Sequence, residues 1–152
     1  MDIRRFFMKK LLIMLSLLLF SLPSFAGGVG YINYQKVVDN YIFAKNSLRE
    51  IETRGNEVQQ YLRAKEVEFS KLETPIQKKK FQETVSVELQ AKEKAFNDFR
   101  EKREEEVYSR IHAVAEKIRL EKGLDVLLDQ RGVFSGGIDI TDALIQKLNQ
   151  NK

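Results

Sequence analysis

Few side chains in this 152-residue chain could carry out chemistry. It has no cysteine and a single histidine, His112, so thiol nucleophiles, disulfides and cysteine-based metal sites are excluded. A histidine that acts as a general base needs a nucleophile or an orienting carboxylate nearby, and the sequence around His112 marks neither. We therefore interpret His112 as a residue of a helix surface or of a contact between helices.

Two charged runs remain, the glutamates 104–106 and the lysines Lys78, Lys79 and Lys80. Hard cations need oxygen ligands that converge from several turns, so we interpret the glutamates as a solvated helix face. The lysines could attract anionic lipid head groups or acidic segments of a partner protein, or they could simply keep the protein soluble. With no phosphate-binding loop and no metal-ligand spacing, the sequence predicts no catalytic residue, no metal and no cofactor, and thus no enzyme.

The first 26 residues have the three-part pattern of a secretory signal peptide. Four basic residues precede the apolar run 11–20, and Ser24 and Ala26 are small residues at positions −3 and −1. The run is much shorter than the roughly 20 residues of a membrane-spanning helix. We expect export and cleavage after Ala26; a retained anchor is the alternative. Met8 could be the initiator instead of Met1.

The chain expected after cleavage, residues 27–152, is nearly neutral. The leader removes four basic residues and one aspartate, which leaves 22 basic and 21 acidic residues. A general nucleic-acid binder carries a marked excess of positive charge, so nucleic acid is not an expected partner. About a third of these residues are charged, which is typical of an elongated helical protein.

A long region of the chain is almost free of glycine and proline, which favours helices. Between Tyr31 and Lys122 there is one glycine, Gly55, and one proline, Pro75. In the first half of this region, apolar residues repeat with the a/d spacing of a coiled coil over about five heptads. These positions are Tyr41, Ala44, Leu48, Ile51, Val58, Leu62, Phe69, Leu72 and Ile76. Gly55 occupies one of the vacant a/d positions, costs local helix stability and is a candidate flex point.

A second helix is predicted to begin at Pro75. Thr74 and Gln77 have the spacing of a capping box, in which each side chain binds the backbone N–H of the other residue, and proline is favoured at the first helical position. The helix is expected to end near Lys122, with Gly123 as its C-cap. Two such helices must fold back on each other to bury their apolar stripes; one helix kinked at Pro75 is the alternative.

The glycine-rich ends indicate strands and turns. Residues 29–32 and 124–129 have the short apolar pattern of β-strands, and a turn then leads into a further strand at residues 133–135. Asp139, with Asp142 three residues later, is expected to cap a last helix. Neither end can bury a core alone, so we expect the two ends to pair with each other and with copies from other chains.

The predicted fold is therefore mainly α with a small β body. Residues 27–33 and 123–152 form this body in the prediction. Residues 34–122 form a long antiparallel helical hairpin, a coiled-coil arm that projects from the body and has its tip near residues 73–77.

Five features follow one another in a specific order. They are a signal peptide, Gly30-Tyr31-Ile32-Asn33-Tyr34-Gln35-Lys36-Val37, a helical hairpin, Gly123-Leu124-Asp125-Val126-Leu127-Leu128-Asp129 and Asp139-Ile140-Thr141-Asp142. In this order they resemble the OmpH/Skp family of periplasmic chaperones, and the resemblance covers residues 27–152. Asn33 stands where the family commonly has aspartate; both residues can cap the following helix.

The resemblance implies a homotrimer, with three helical arms that project from a β body and enclose a cavity. It also implies an ATP-independent periplasmic holdase, which binds unfolded outer-membrane β-barrel proteins and prevents their aggregation during transit to the outer membrane. The lipopolysaccharide site proposed for one branch of the family has no matching basic cluster here and is not carried over. The residues expected in the trimer body are Val29, Tyr31, Ile32, Val126, Leu128, Val133, Ile138 and Ile140.

An exported coiled-coil scaffold, which holds no unfolded protein, is the alternative function. A scaffold is expected to have a filled contact between its helices, whereas the apolar stripe of this chain thins after Phe99, where polar residues run from Arg100 to Glu106. A hydrolase or metal enzyme is a third alternative and would need a nucleophile that the sequence does not indicate.

Overall fold

The computed structural model describes residues 27–150. In chain order the elements are strand β1 (Gly28–Ile32), helices α1 (Tyr34–Asn40), α2 (Ile42–Ser70) and α3 (Pro75–Glu121), strand β2 (Leu124–Asp129), a 3₁₀ turn (Gln130–Gly132), strand β3 (Ile138–Asp139) and helix α4 (Thr141–Gln150). The predicted mainly α fold with a small sheet is confirmed. The predicted signal peptide, residues 1–26, lies outside the described residues.

The sheet is parallel and has β1 as its central strand, in the order β2-β1-β3. Val29 pairs with Val126 and Tyr31 with Leu128 on one side of β1, and Gly30 pairs with Ile138 on the other. Because β2 and β3 lie on opposite sides of β1, the chain between them must pass from one edge of the sheet to the other.

The prediction of a strand at residues 133–135 is wrong. After the 3₁₀ turn these residues join no strand within the described chain, and the third strand is instead the short pair Ile138–Asp139. A turn directly into residues 133–135 would have formed an antiparallel hairpin with β2. The observed sheet needs a third strand parallel to β1 at its far edge, so residues 130–137 serve as the connection.

The hydrophobic core lies where the helices meet the sheet. It consists of Ile32, Val37, Tyr41, Ala44, Val107, Ile111, Val114, Ala115, Ile118, Leu124, Ile140, Leu144 and Leu148. Within it, Leu144 and Leu148 form one stripe of α4, because residues four apart share a helix face. The core therefore joins the sheet, α1, the start of α2, the end of α3 and α4 into one unit.

The helical region is interrupted at Tyr41, which the a/d pattern does not predict. Tyr41 has an extended backbone, with φ −84° and ψ 118°, and a buried side chain. The carboxamide of Asn149 accepts a hydrogen bond from the N–H of Ile42 and donates one to the carbonyl of Asn40, each at 3.0 Å. The backbone groups at the break are thus satisfied by α4, from more than a hundred residues away along the chain.

Helices α2 and α3 lie side by side and run in opposite directions. Near the sheet, Glu50 of α2 binds Arg103 of α3; at the other end, the rings of Phe69 and Phe81 have centroids 6.0 Å apart. Helix α2 has 29 residues and α3 has 47, so at 1.5 Å per residue they are about 44 and 70 Å long. Most of their length therefore lies outside the core.

Candidate functional site

The seam is the line along which α2 and α3 face each other, and it is shallow over most of its length. Between residues 48 and 106 none of the described side chains is buried. The half-buried apolar side chains along it are Ile51, Val58, Tyr61, Leu62, Phe69, Phe81, Val85, Leu89, Phe96 and Phe99. Two helices alone cannot surround these side chains, so part of their apolar surface stays accessible to a further partner.

Long basic side chains lie over the aromatic rings of the seam. The guanidinium carbon of Arg54 is 3.8 Å from the ring centroid of Phe99, and the Nζ atom of Lys92 is 4.8 Å from that of Tyr61. Cation–π contacts at exposed sites are weak, roughly 0.5–1 kcal/mol each. The aromatic faces are therefore covered by side chains that an incoming apolar group can displace.

Two of the clefts along this pair of helices have mainly apolar linings. The first, of about 320 Å³, lies near the turn between α2 and α3 and is lined mainly by Leu62, Phe69, Phe81, Val85 and Leu89. The second, of about 230 Å³, lies near the sheet and is lined by Tyr34, Val38, Leu48, Ile51, Val107 and neighbouring polar residues. Both offer apolar side chains with a charged rim, which suits apolar side chains of a partner.

Ion pairs and hydrogen bonds link the two helices across the seam. Arg103 binds Glu50 of α2 as well as Glu106 of its own helix. A guanidinium nitrogen of Arg110 lies 2.9 Å from a carboxylate oxygen of Glu106, and this hydrogen bond lowers the pKa of Glu106. The hydrogen bond from Arg103 lowers the same pKa further. These groups keep part of their surface in water, so their ion pairs orient the helices more than they stabilise them.

The hydroxyl of Tyr61 donates a hydrogen bond to the carboxylate of Glu88. This bond favours the neutral form of the tyrosine, and it raises the pKa of Tyr61 to about 12. It joins α2 to α3 about midway along the seam.

The end of the helix pair carries the predicted basic tip. The Thr74 hydroxyl accepts a hydrogen bond from the Gln77 N–H at 3.3 Å, and the Gln77 side chain accepts one from the Thr74 N–H at 3.1 Å. Next to them Ile76 is 82% exposed. None of the lysines 78–80 makes an ion pair within residues 27–150, although the Nζ atom of Lys78 is 5.8 Å from the ring centroid of Phe69.

One face of the sheet, called the outer face below, consists of Val29, Tyr31, Val126 and Leu128. The strand register places these four side chains together, on the face opposite the buried Leu124 and Ile32. Val29, Val126 and Leu128 are 39 to 41% exposed. The outer face is thus an apolar surface that the described part of the chain leaves uncovered.

The other residues predicted for the trimer body lie elsewhere. Ile32 and Ile140 are buried in the core of the single chain, so their burial requires no second copy. Ile138 is exposed at the edge of the sheet, and Val133 is half-buried in the connection to it.

An aromatic residue missed in the sequence analysis lies in the same connection. Phe134 follows directly after Val133 and is 106% exposed, which means as accessible as in an extended peptide. The sequence does contain a signal, since an aromatic residue among Gly132, Gly136 and Gly137 has few local neighbours to pack against. The expectation of a strand at residues 133–135 concealed it.

The remaining predicted residues are placed as follows. The Asp139 carboxylate accepts hydrogen bonds from the N–H and hydroxyl of Thr141, the first residue of α4, whereas the Asp142 carboxylate binds Lys36 at 2.7 Å. Helix α2 runs unbroken through Gly55, where an added Cβ would lie 3.4 Å from the Phe96 ring.

The residues considered for chemistry do not converge on a site. His112 is exposed and lies beside the ring of Tyr108, with ring centroids 6.0 Å apart. Glutamates 104 and 106 bind arginines of α3, and Glu105 accepts a hydrogen bond from Ser109. Among residues 27–150 no cluster of His, Asp or Glu side chains could hold a metal ion. None of the helices described has the length and apolar character needed to cross a membrane.

Comparison with known proteins gave a family match. A family model described as "Outer membrane protein (OmpH-like)" matches residues 28–148. Among six solved chains that match is an OmpH-like candidate outer membrane chaperone of Caulobacter crescentus, with 17% sequence identity and a TM-score of 0.39. That match covers 83% of this chain and 86% of the other. A search of curated proteins found no match.

Proposed function

The chain belongs to the OmpH-like family, and we propose that it is an ATP-independent holdase of the periplasm. In this proposal it binds unfolded outer-membrane β-barrel proteins and prevents their aggregation on the way to the outer membrane. The observation that carries the proposal is the shallow seam, since no described side chain between residues 48 and 106 is buried. A helix pair that served only as a rod would gain stability by covering such surface.

The chemistry of the seam suits an unfolded β-barrel protein. Strands of such proteins alternate apolar and polar residues, and in water their exposed edges and apolar side chains drive aggregation. Half-buried aromatic rings with movable basic covers, such as Arg54 over Phe99 and Lys92 over Tyr61, can make many weak contacts with such strands. Weak contacts can be exchanged one at a time, so release needs no energy source.

The proposal includes export and assembly. Residues 1–26 would direct export to the periplasm and be removed after Ala26. Three copies would then assemble through bodies made of residues 27–33 and 123–152, with residues 34–122 as arms and residues 73–77 at their tips. The uncovered outer face of the sheet supports this assembly, because apolar surface of that kind marks a contact with another protein.

The test is an aggregation assay with the purified chain of residues 27–152. A urea-unfolded outer-membrane β-barrel protein is diluted into buffer with increasing amounts of the chain, and light scattering is recorded. We expect suppression that saturates near one β-barrel protein per three chains. An unrelated helical protein of similar size, at the same concentrations, serves as the control and should leave the scattering unchanged.

Unchanged scattering would contradict the holdase function, provided that circular dichroism shows the chain to be folded and helical. The alternative, an exported coiled-coil scaffold that assembles without holding unfolded proteins, would then be favoured. Suppression that saturates at another ratio would support the holdase and contradict the trimer.

The tip adds a second proposed partner, an anionic membrane surface or an acidic segment of a bound protein. Lysines 78–80 and the exposed Ile76 combine positive charge with an apolar side chain, as surface-bound segments do. We expect changing the three lysines to glutamine to reduce co-flotation with anionic vesicles but not with zwitterionic ones. Changing Lys45, Lys102 and Lys117 to glutamine is the matched control. Equal flotation of both variants and the unmodified chain would argue against the membrane as partner.

A further inference from the structure

Phe134 is the most exposed large apolar side chain in the described chain, at 106%. It lies in the connection between β2 and β3, two residues before the pair Gly136 (φ 79°) and Gly137 (φ 94°), whose backbones have positive φ. Since Phe134 is fully accessible, it adds nothing to the packing of its own chain. A fully exposed phenylalanine is therefore available for contact with another molecule.

The connection that carries Phe134 returns to the sheet beside the outer face. A Cβ atom built at Gly137 would lie 3.2 Å from the ring of Tyr31, one of the four outer-face residues. Strand β2 pairs with the strand that carries Tyr31 and lies at the edge of the sheet. It contributes Val126 and Leu128 to the outer face, and both are exposed. One end of the molecule thus carries both a projecting aromatic side chain and an uncovered apolar surface.

We propose that Phe134 of one copy packs against the outer face of the sheet in a second copy of this chain. The projecting residue and the receiving surface are different parts of the chain, so the contact is heterologous: each copy contributes Phe134 to one neighbour and receives it from the other. Such a contact leaves no exposed Phe134 when the ring closes. This inference rests on the assembly proposed above and assigns the side chain that anchors it.

The area required favours a second copy that covers the whole outer face. An aromatic side chain buries on the order of 200 Å², whereas a stable interface buries about 800 Å² per partner. Phe134 alone is therefore too small, and the copy that contributes it has to cover Val29, Val126 and Leu128 of its neighbour as well. No outer-face residue is charged, which matches the uncharged centre of an assembly interface.

The first test compares Phe134→Ser with Val87→Ser, a control on α3 whose residue is 69% exposed. Sedimentation velocity of the chain of residues 27–152 over a concentration series measures the midpoint of assembly. We expect Phe134→Ser to raise the concentration at this midpoint at least tenfold. The apolar variant Phe134→Leu should assemble at a concentration close to that of the unmodified chain, and Val87→Ser should assemble like the unmodified chain. Circular dichroism should be the same for all of them, because Phe134 does not pack within its own chain.

The second test reads out the contact directly and uses the absence of cysteine in the chain. Chains with Phe134→Cys are mixed with chains with Leu128→Cys and treated with a short bismaleimide. We expect cross-linked dimers from the mixture, and far fewer from either variant alone. Equal yields in all three samples would overturn the head-to-tail contact.

The outcomes separate this inference from the proposed function. If the unmodified chain is trimeric and Phe134→Ser assembles at the same concentration, Phe134 is not the anchor, although the trimer and the holdase stand. If Phe134→Ser stays trimeric but protects an unfolded protein less well, Phe134 contacts the bound protein instead, and the inference is overturned. An unmodified chain that is monomeric throughout overturns both the assembly and its anchor.

Discussion

At the scale of single residues, the bond between Tyr61 and Glu88 gives the seam a measurable pH dependence. It raises the pKa of Tyr61 to about 12, above the value of about 10 in an unfolded chain. Its contribution to stability is therefore fully present below about pH 10 and is lost as the pH rises towards 12. We expect an ultraviolet titration of tyrosinate to show one tyrosine ionising near pH 12, and Tyr61→Phe to lack that step.

Tyr108→Phe is the matched control for this titration. Tyr108 is exposed on α3, so its removal should leave the step near pH 12 in place. A step that survived in Tyr61→Phe would show that the bond to Glu88 is not formed in solution.

At the scale of elements, the capping box at Thr74 holds the start of α3 at the tip. Thr74→Ala removes the hydroxyl that accepts from the Gln77 N–H, and loss of an N-cap costs about 1 kcal/mol. We expect the free energy of unfolding, measured in urea at fixed chain concentration, to fall by about that amount.

Thr84→Ala is the control for this cap, since the Thr84 hydroxyl binds the Lys80 carbonyl within α3 and caps no helix end. It should leave the free energy of unfolding unchanged or slightly higher, because alanine is the better helix former. Equal losses in both variants would contradict a capping role of Thr74.

Replacing Gly55 tests whether the helix pair has to flex. A Cβ atom there would meet the Phe96 ring at 3.4 Å, which is ordinary contact, and replacing a mid-helix glycine by alanine gains about 0.5–1 kcal/mol. We expect Gly55→Ala to raise the free energy of unfolding and to narrow the range of sizes of unfolded proteins that the chain protects in the scattering assay.

Asn56→Ala separates the two effects of that change. It also raises helix propensity, but Asn56 is exposed and lies outside the seam, so it should stabilise α2 without narrowing the range. If Gly55→Ala protected the same range of sizes of unfolded proteins as the unmodified chain, Gly55 would not be a flex point.

At the scale of the whole molecule, the proposed assembly depends on the outer face. Leu128→Asp places a charge in the middle of an apolar surface, and burying an unpaired charge is strongly unfavourable. We expect sedimentation velocity to show monomers at concentrations where the unmodified chain is trimeric. Leu120→Asp, at an exposed position of α3, is the control and should remain trimeric. A trimeric Leu128→Asp variant would contradict the placement of the interface.

Ile140 shows how far a sequence can assign such an interface. It is one of the residues expected in the trimer body, yet it is 1% exposed within the single chain, in contact with the core that includes Leu144 of α4. Phe134 shows the opposite error, since the strand expected at residues 133–135 concealed a side chain that is fully exposed in the structure. Apolar character alone does not distinguish a core within one chain from a surface between chains, because both bury the same side chains.

The sequence by itself determined the two long helices and the fold class, which is mainly α with a small sheet. Helix periodicity, the Thr74-Pro75 start and the glycine that follows α3 act within a few residues, so a local pattern is sufficient to predict them. Only the tertiary structure decided the strand order around β1, the break at Tyr41 and the exposure of Phe134. Each depends on groups far apart in the chain, such as Asn149 with Ile42 or Val29 with Val126, and no local pattern encodes which distant groups will meet.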